Sequence, residues 1–166
     1  ITLEPFTLIG ATTRTGLLTG PLRDRFGYTA RLEYYDVDEL RFIIERASGL
    51  LGLQIDPKAT LELAQRSRGT PRIANRLLRR VRDYAEVVGE GTVDVKITRH
   101  ALERLGVDPL GLDRLDLNYL DMLIRQFKGG PVGIETLAAA VGEQADTLQD
   151  VCEPFLMKLG FLQRTP

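Results

Sequence analysis

The sequence is poor in the residues that metal and redox chemistry use. It has one cysteine and one histidine among 166 residues. Cys152 alone cannot close an internal disulfide, which fits a reducing, cytoplasmic setting. Its apolar and acidic neighbours mark a structural thiol rather than a reactive one. His100, as the single histidine, excludes a histidine-based triad and a multi-histidine metal site, and reads as a surface residue. No Cys/His cluster points to zinc. No run of about 18 apolar residues is present, so no transmembrane helix is expected. The start, Ile1-Thr2-Leu3-Glu4-Pro5, has neither an initiator Met nor a basic-then-apolar signal peptide, and suggests a piece of a longer chain. Also missing are a phosphate loop of the form G-x-x-x-x-G-K-S/T and an apolar strand ending in Asp-Glu for a magnesium ion. Gly129-Gly130-Pro131-Val132-Gly133 is glycine-rich, but it follows a helical pattern and lacks the Lys-Ser/Thr.

What is present is ordinary for a soluble globular protein: 43% hydrophobic and 27% charged residues, with a formal net charge of −1. The charge is uneven. Residues 1–106 carry 17 Lys/Arg against 14 Asp/Glu, and residues 107–166 carry 5 against 9. The densest basic stretch, Arg66 to Arg82, holds seven arginines and no acid.

Hydrophobic spacing divides the chain. Phe6–Gly10 reads as a short buried strand, residues 11–20 as a Thr/Gly-rich loop, Pro21–Gly27 as one helical turn and Tyr28–Tyr34 as a second strand. Asp36-Val37-Asp38-Glu39 is a capping box for a helix carrying Leu40, Ile43, Ile44, Ala47 and Leu51. Asp56-Pro57 and Thr70-Pro71 open helices over about 57–67 and 71–88, and Thr98 opens a short fourth, predicting a small bundle. Gly106–Gly111 is a linker. Beyond it, Leu112 to Phe127 and then about 133–141 read as helices. Asp146 caps a helix over about 147–159 that Pro154 should kink. Gly160 stops that helix, and Phe161–Arg164 begins a strand. Helix, helix, Gly-containing turn, helix, strand is the order of a winged helix-turn-helix.

Three clusters can carry chemistry. Thr13, at the end of a buried strand, can orient a water attacking a γ-phosphate, or is a plain loop threonine. Arg23 and Arg25 share one tight turn and suit forked contact with phosphate, or are surface arginines beside Asp24. Arg72 sits in the first turn of its helix, where the dipole prefers acids; a facing phosphate would explain that choice. Arg76 and Arg79 or Arg80 continue its face, and Arg79 to Arg82 read as a solvated basic surface. Tyr34 and Tyr35 read as core and sheet edge, and Arg164 as an ordinary arginine near the chain terminus.

Gly10-Ala11-Thr12-Thr13-Arg14, Pro21 to Gly27, Arg68-Gly69-Thr70-Pro71-Arg72-Ile73-Ala74-Asn75-Arg76-Leu77, Gly129 to Gly133 and Gly160 to Pro166 together resemble the RuvB family of bacterial Holliday-junction branch-migration motors. These are ring ATPases of the AAA+ class. The arginine pattern is shared across that class, whereas its combination with Gly-Gly-Pro-Val-Gly is more specific. The resemblance implies a mainly α fold with small β content. Residues 1–32 would end an ATPase domain, 33–106 would form a helical lid, and 107–166 a winged helix. It implies that Thr13 is the first nucleotide sensor and Arg25 the finger reaching a neighbour's nucleotide, with Arg23 nearby. Arg72 would be the second sensor, with Pro71 beside the base and Tyr35 against the adenine. Arg164 would contact DNA. ATP or ADP with magnesium, duplex arms of a Holliday junction, a homo-hexameric ring and a RuvA-type junction-binding protein are the implied partners. Ala145 stands where some relatives have an arginine. Two other classes fit parts of the pattern: a non-catalytic winged-helix regulator, which needs no paired sensor arginines, and a clamp loader, which the Gly-Gly-Pro-Val-Gly segment disfavours.

Overall fold

The computed structural model describes residues 4–13, 15–88 and 91–165. Ile1, Thr2, Leu3, Arg14 and Pro166 of the segments quoted above lie outside the described residues. Residues 1–33 form one compact unit and 34–166 another.

In the first unit a single turn of α-helix, α1 (Gly20–Arg23), carries Pro21 in its first turn. No strand forms among the described residues, so the strands expected at Phe6–Gly10, Tyr28–Tyr34 and Phe161–Arg164 are corrected to irregular backbone. The reason is physical: a strand is held by a ladder to a neighbour, and among the described residues none of the three has one. Phe6, Leu8, Ile9, Tyr28 and Leu32 are accordingly exposed. The fold is mainly helical.

The second unit begins with a bundle. Helix α2 (Val37–Leu50) starts on the expected capping box: Glu39 N–H donates to Asp36 Oδ1 (2.8 Å) and Asp36 N–H to Glu39 Oε2 (2.9 Å). Helix α3 (Pro57–Gln65) is capped by Asp56, which accepts from Lys58 N–H at 2.7 Å. Helix α4 (Pro71–Val88) is the longest, and α5 (Val95–Arg104) closes the bundle. Asp94, not Thr98, caps α5, accepting from Ile97 N–H at 2.7 Å. Thr98 is buried and its hydroxyl donates back to Asp94 O. Leu40, Ile44, Leu63, Leu77, Leu78, Val81 and Leu102 share one core. One parallel bridge, Ile55 to Val93, ties the α2–α3 connection to the entry of α5.

A second core follows, built from Leu112, Tyr119, Leu137, Leu148, Cys152, Phe155 and Leu156. Helix α6 (Arg114–Arg125) opens on Asp113, whose side chain accepts from the N–H groups of Leu115 and Asp116. Helix α7 (Ile134–Val141) ends at Gly142, whose φ of 79° supplies the left-handed stop. The last helical stretch differs from expectation. Gln144 rather than Asp146 stands at its N-cap, and the stretch is not one kinked helix. It runs as a short α8 (Ala145–Thr147), a π-helical segment Leu148–Cys152, then α9 (Glu153–Lys158). Pro154 has no N–H for the carbonyl four residues back, and its ring would strike that carbonyl. Widening the preceding turn to π spacing removes both problems.

Candidate functional site

The nucleotide-facing residues proposed from sequence lie in two places. Thr13 and Arg25 are in the first unit, and Tyr35, Pro71 and Arg72 are in the second. In the first unit Phe26 packs against Gly10, where an added Cβ would meet its ring at 3.6 Å. Arg23 and Arg25, on the turn that begins with α1, are both exposed, and among the described residues neither forms an ion pair with Asp24 or any other acid. Thr13 is exposed in the preceding loop.

In the second unit the α3–α4 turn builds the site. Arg68 (φ 55°) and Gly69 (φ 76°) are both left-handed, which reverses the chain within a few residues. Thr70 hydroxyl donates back to Ser67 O at 3.3 Å, and Thr70 O accepts the first α4 bond from Ala74 N–H at 3.1 Å. Tyr35 N–H donates to Gly69 O at 2.9 Å. The structure thus ties the Tyr35 backbone to the turn that leads into α4, where Pro71 and Arg72 begin the helix. Tyr35 is 43% exposed and Tyr34 45%, which corrects the reading of the pair as core and sheet edge. Arg72 is exposed and, among the described residues, has no side-chain partner. Among the described residues neither its guanidinium nor the N–H groups of Arg72 and Ile73 have a partner, an arrangement that can receive an anion.

The seven arginines from 66 to 82 now separate. Arg66 pairs with Glu62 at 2.8 Å, and Arg82 with Asp83 at 2.7 Å. Arg68 is buried among acids of the α6 entry. Arg72, Arg76, Arg79 and Arg80 stand exposed on α4.

Arg164 is elsewhere and is engaged. Its Nε donates to Glu153 Oε2 at 3.0 Å, and Glu153 Oε1 accepts from the buried Tyr119 hydroxyl at 3.0 Å. Burial, then the hydrogen bond to Glu153, pushes the Tyr119 phenol upward. Arg164 walls an open groove with Gly129–Gly133, Phe161 and Leu162. His100 is exposed and stacks on Tyr84, with ring centroids 6.1 Å apart. Cys152 is fully buried and its thiol donates to Asp116 Oδ1 at 3.0 Å; burial and that carboxylate push the thiol upward, away from thiolate reactivity.

Residues 35–108 match the family described as the RuvB AAA lid domain, 109–166 the RuvB C-terminal winged helix domain, and 1–32 the Holliday junction DNA helicase RuvB P-loop domain. Thermotoga maritima RuvB, a Holliday junction branch migration motor, is 49% identical over 99% of this chain, with a TM-score of 0.93. The chain belongs to the RuvB family. A proline-to-glycine mutant of the Thermotoga maritima RuvB matches over 100% of this chain with a TM-score of 0.94. The chain spans about 55% of the Thermotoga RuvB chain. As a RuvB-family chain it contains the lid, the winged helix and the end of the P-loop domain, without the phosphate loop itself. Among the described residues no helix is long and apolar enough to cross a membrane.

Sequence reasoning missed the acids that receive Arg68. Asp113 and Asp116 form a capping box with Asp in place of the usual Glu, and that spacing was the available signal.

Proposed function

We propose that the chain is the C-terminal part of a cytoplasmic, hexameric ATPase that drives duplex DNA through a Holliday junction, loaded by a RuvA-type junction-binding protein. The observation that carries this reading is Arg72: an exposed guanidinium at the entry of α4, without a side-chain partner among the described residues, after a turn whose Gly69 carbonyl accepts from the N–H of the half-exposed Tyr35. In this reading Arg72 holds the phosphates of its own subunit's ATP, with Tyr35 and Pro71 against the base. Arg25 reaches the ATP of the neighbouring subunit, where its fixed charge offsets charge building on the transferring phosphoryl group. Thr13 orients the water. That water attacks the γ-phosphorus, the bond to the bridging oxygen breaks, and ADP and phosphate leave.

Among the described residues no group of three or more His, Cys, Asp or Glu is placed to hold a metal. Magnesium bound with the ATP phosphates would neutralise part of their charge. Arg164, on the winged helix, meets a DNA phosphate after leaving Glu153.

The test mixes full-length wild-type subunits with subunits carrying Arg25→Ala and follows ATP hydrolysis. A minority of altered subunits should depress turnover beyond simple dilution while nucleotide binding survives. A loss strictly proportional to the altered fraction removes the role across the interface. The purified 166-residue chain, which has no phosphate loop, should show no turnover in the same assay, and measurable hydrolysis would contradict the assignment of the missing function.

A further inference from the structure

Two sets of contacts join the lid bundle to the winged helix around the α3–α4 turn. The first is centred on Arg68. Its side chain is 9% exposed and donates from Nε to Gly111 O at 2.9 Å. Its Nη2 reaches Asp113 Oδ2 at 2.8 Å and also bonds to the fully buried Asp116. Its guanidinium carbon lies 4.8 Å from the centre of the Phe155 ring. One arginine of the α3–α4 turn therefore touches the linker, the entry of α6 and helix α9. The second pair is Lys158 and Tyr34: the ammonium of α9 sits 4.4 Å from the centre of the Tyr34 ring. The second contact crowds Gly69, where an added Cβ would lie 2.5 Å from Lys158 Nζ and 2.9 Å from Tyr34 Cβ.

The placement in sequence matters. Tyr34 adjoins Tyr35, and Arg68 lies four residues before Arg72. Tyr35 N–H and Gly69 O tie the two strands of chain together. Each lid residue assigned to nucleotide thus adjoins, or lies a few residues from, a residue that grips the winged helix. Arg68 also holds a left-handed backbone conformation that a non-glycine residue rarely takes.

We propose that Arg68 is a positioning residue for the motor: with Lys158 it clasps the winged helix to the α3–α4 turn, so that the DNA-binding module and Arg72 move as one body. This rests on the nucleotide role proposed for Arg72. The clasp works in both directions, since any free energy by which nucleotide biases the turn equals that by which a DNA load on the winged helix biases nucleotide binding. The buried carboxylate of Asp116 supports this arrangement. Burial pushes it upward and the Asp113 charge adds a little; the Cys152 thiol, the Asp113 N–H and the guanidinium of Arg68, in that order, pull the other way without cancelling burial, and Arg68 supplies the cation at this site.

The test has two arms. In the first, the 166-residue chain carries spin labels at Arg80→Cys on α4 and Glu135→Cys on α7, both exposed and away from the clasp. Pulsed dipolar spectroscopy should give one narrow distance, which broadens or splits in Arg68→Met. Should Arg68→Met fail to fold by circular dichroism, the pair Lys158→Met and Asp113→Asn replaces it. Lys158 is exposed, and asparagine still caps α6. A distance that stays single and narrow in a folded variant overturns the clasp.

In the second arm, the full-length ring carrying the same change is assayed for ATP hydrolysis with and without duplex DNA. Basal kcat and KM should be kept, and the response to DNA should fall on the order of tenfold. A response that survives broadened distances overturns the coupling. Arg68→Lys, which keeps the charge but loses the fork, should recover only part of it. An unaltered ring that hydrolyses no ATP would instead count against the motor reading, leaving the distance result intact.

Discussion

At the scale of single residues, Gly69 carries the tightest constraint. It combines a φ of 76° with a backbone so close to Tyr34 that a methyl group has no room. Gly69→Ala should destabilise the chain by about 1–3 kcal/mol, read as a lower urea midpoint with an unchanged slope. A midpoint within experimental scatter of the parent would show that the turn can shift to admit a side chain. The motif Arg68 to Arg76 was legible in the sequence, and so was the odd placement of Arg72 in a first helical turn. What Arg68 does was not legible. Its partners lie more than forty residues away, on Gly111, Asp113 and Asp116, and nothing local distinguishes it from the solvated arginines that follow. Tyr35 shows the converse. The aromatic pair Tyr34-Tyr35 at a predicted strand suggests core and sheet edge, whereas with no sheet among the described residues both rings stand half exposed.

At the scale of elements, helices were legible because their signals are local. Asp36, Asp56 and Pro71 mark true starts, and α4 runs over the span its periodicity predicts. The strands were not, because a strand depends on a partner that local pattern does not contain. The π segment before Pro154 lies between these cases: the proline announces a disturbance but not which form it takes. Between α3 and α5, Glu62 receives both Arg66 (2.8 Å) and Arg99 Nε (2.7 Å). Burial pushes this carboxyl up, but the hydrogen bond and charge of Arg99 and the charge of Arg66 outweigh it, so it lies below its ordinary 4.5. A carboxyl lowered on folding adds stability that is present above the unfolded value and is lost as pH falls through the folded one. Melting temperature should therefore fall as pH drops below about 4.5, and Glu62→Gln should flatten that part of the profile while costing about 1–3 kcal/mol at neutral pH. An unchanged acid limb would remove Glu62 from the account.

At the scale of the molecule, charge and function pull apart. The winged-helix half is acidic, and its arginine nearest the groove, Arg164, is held by Glu153. Binding of a labelled duplex by the isolated chain should therefore be weak, and a log–log plot against salt should be shallow. If Arg164 meets a phosphate, Arg164→Ala should reduce the slope by about 0.9. Fluorescence anisotropy at several salt concentrations measures this, and an identical slope would place DNA contact on other groups.

The Arg68 contacts also bear on modularity. A winged helix borrowed from another protein could not simply be spliced on after Gly106. The graft would have to bring a carbonyl at the position of Gly111, two acids spaced as Asp113 and Asp116, and an aromatic ring in place of Phe155. Otherwise it would leave a buried guanidinium without its counter-charges. Lid and winged helix are thus interchangeable only as a matched pair, and the natural unit for swapping between relatives is the stretch from Tyr34 onward rather than either domain alone.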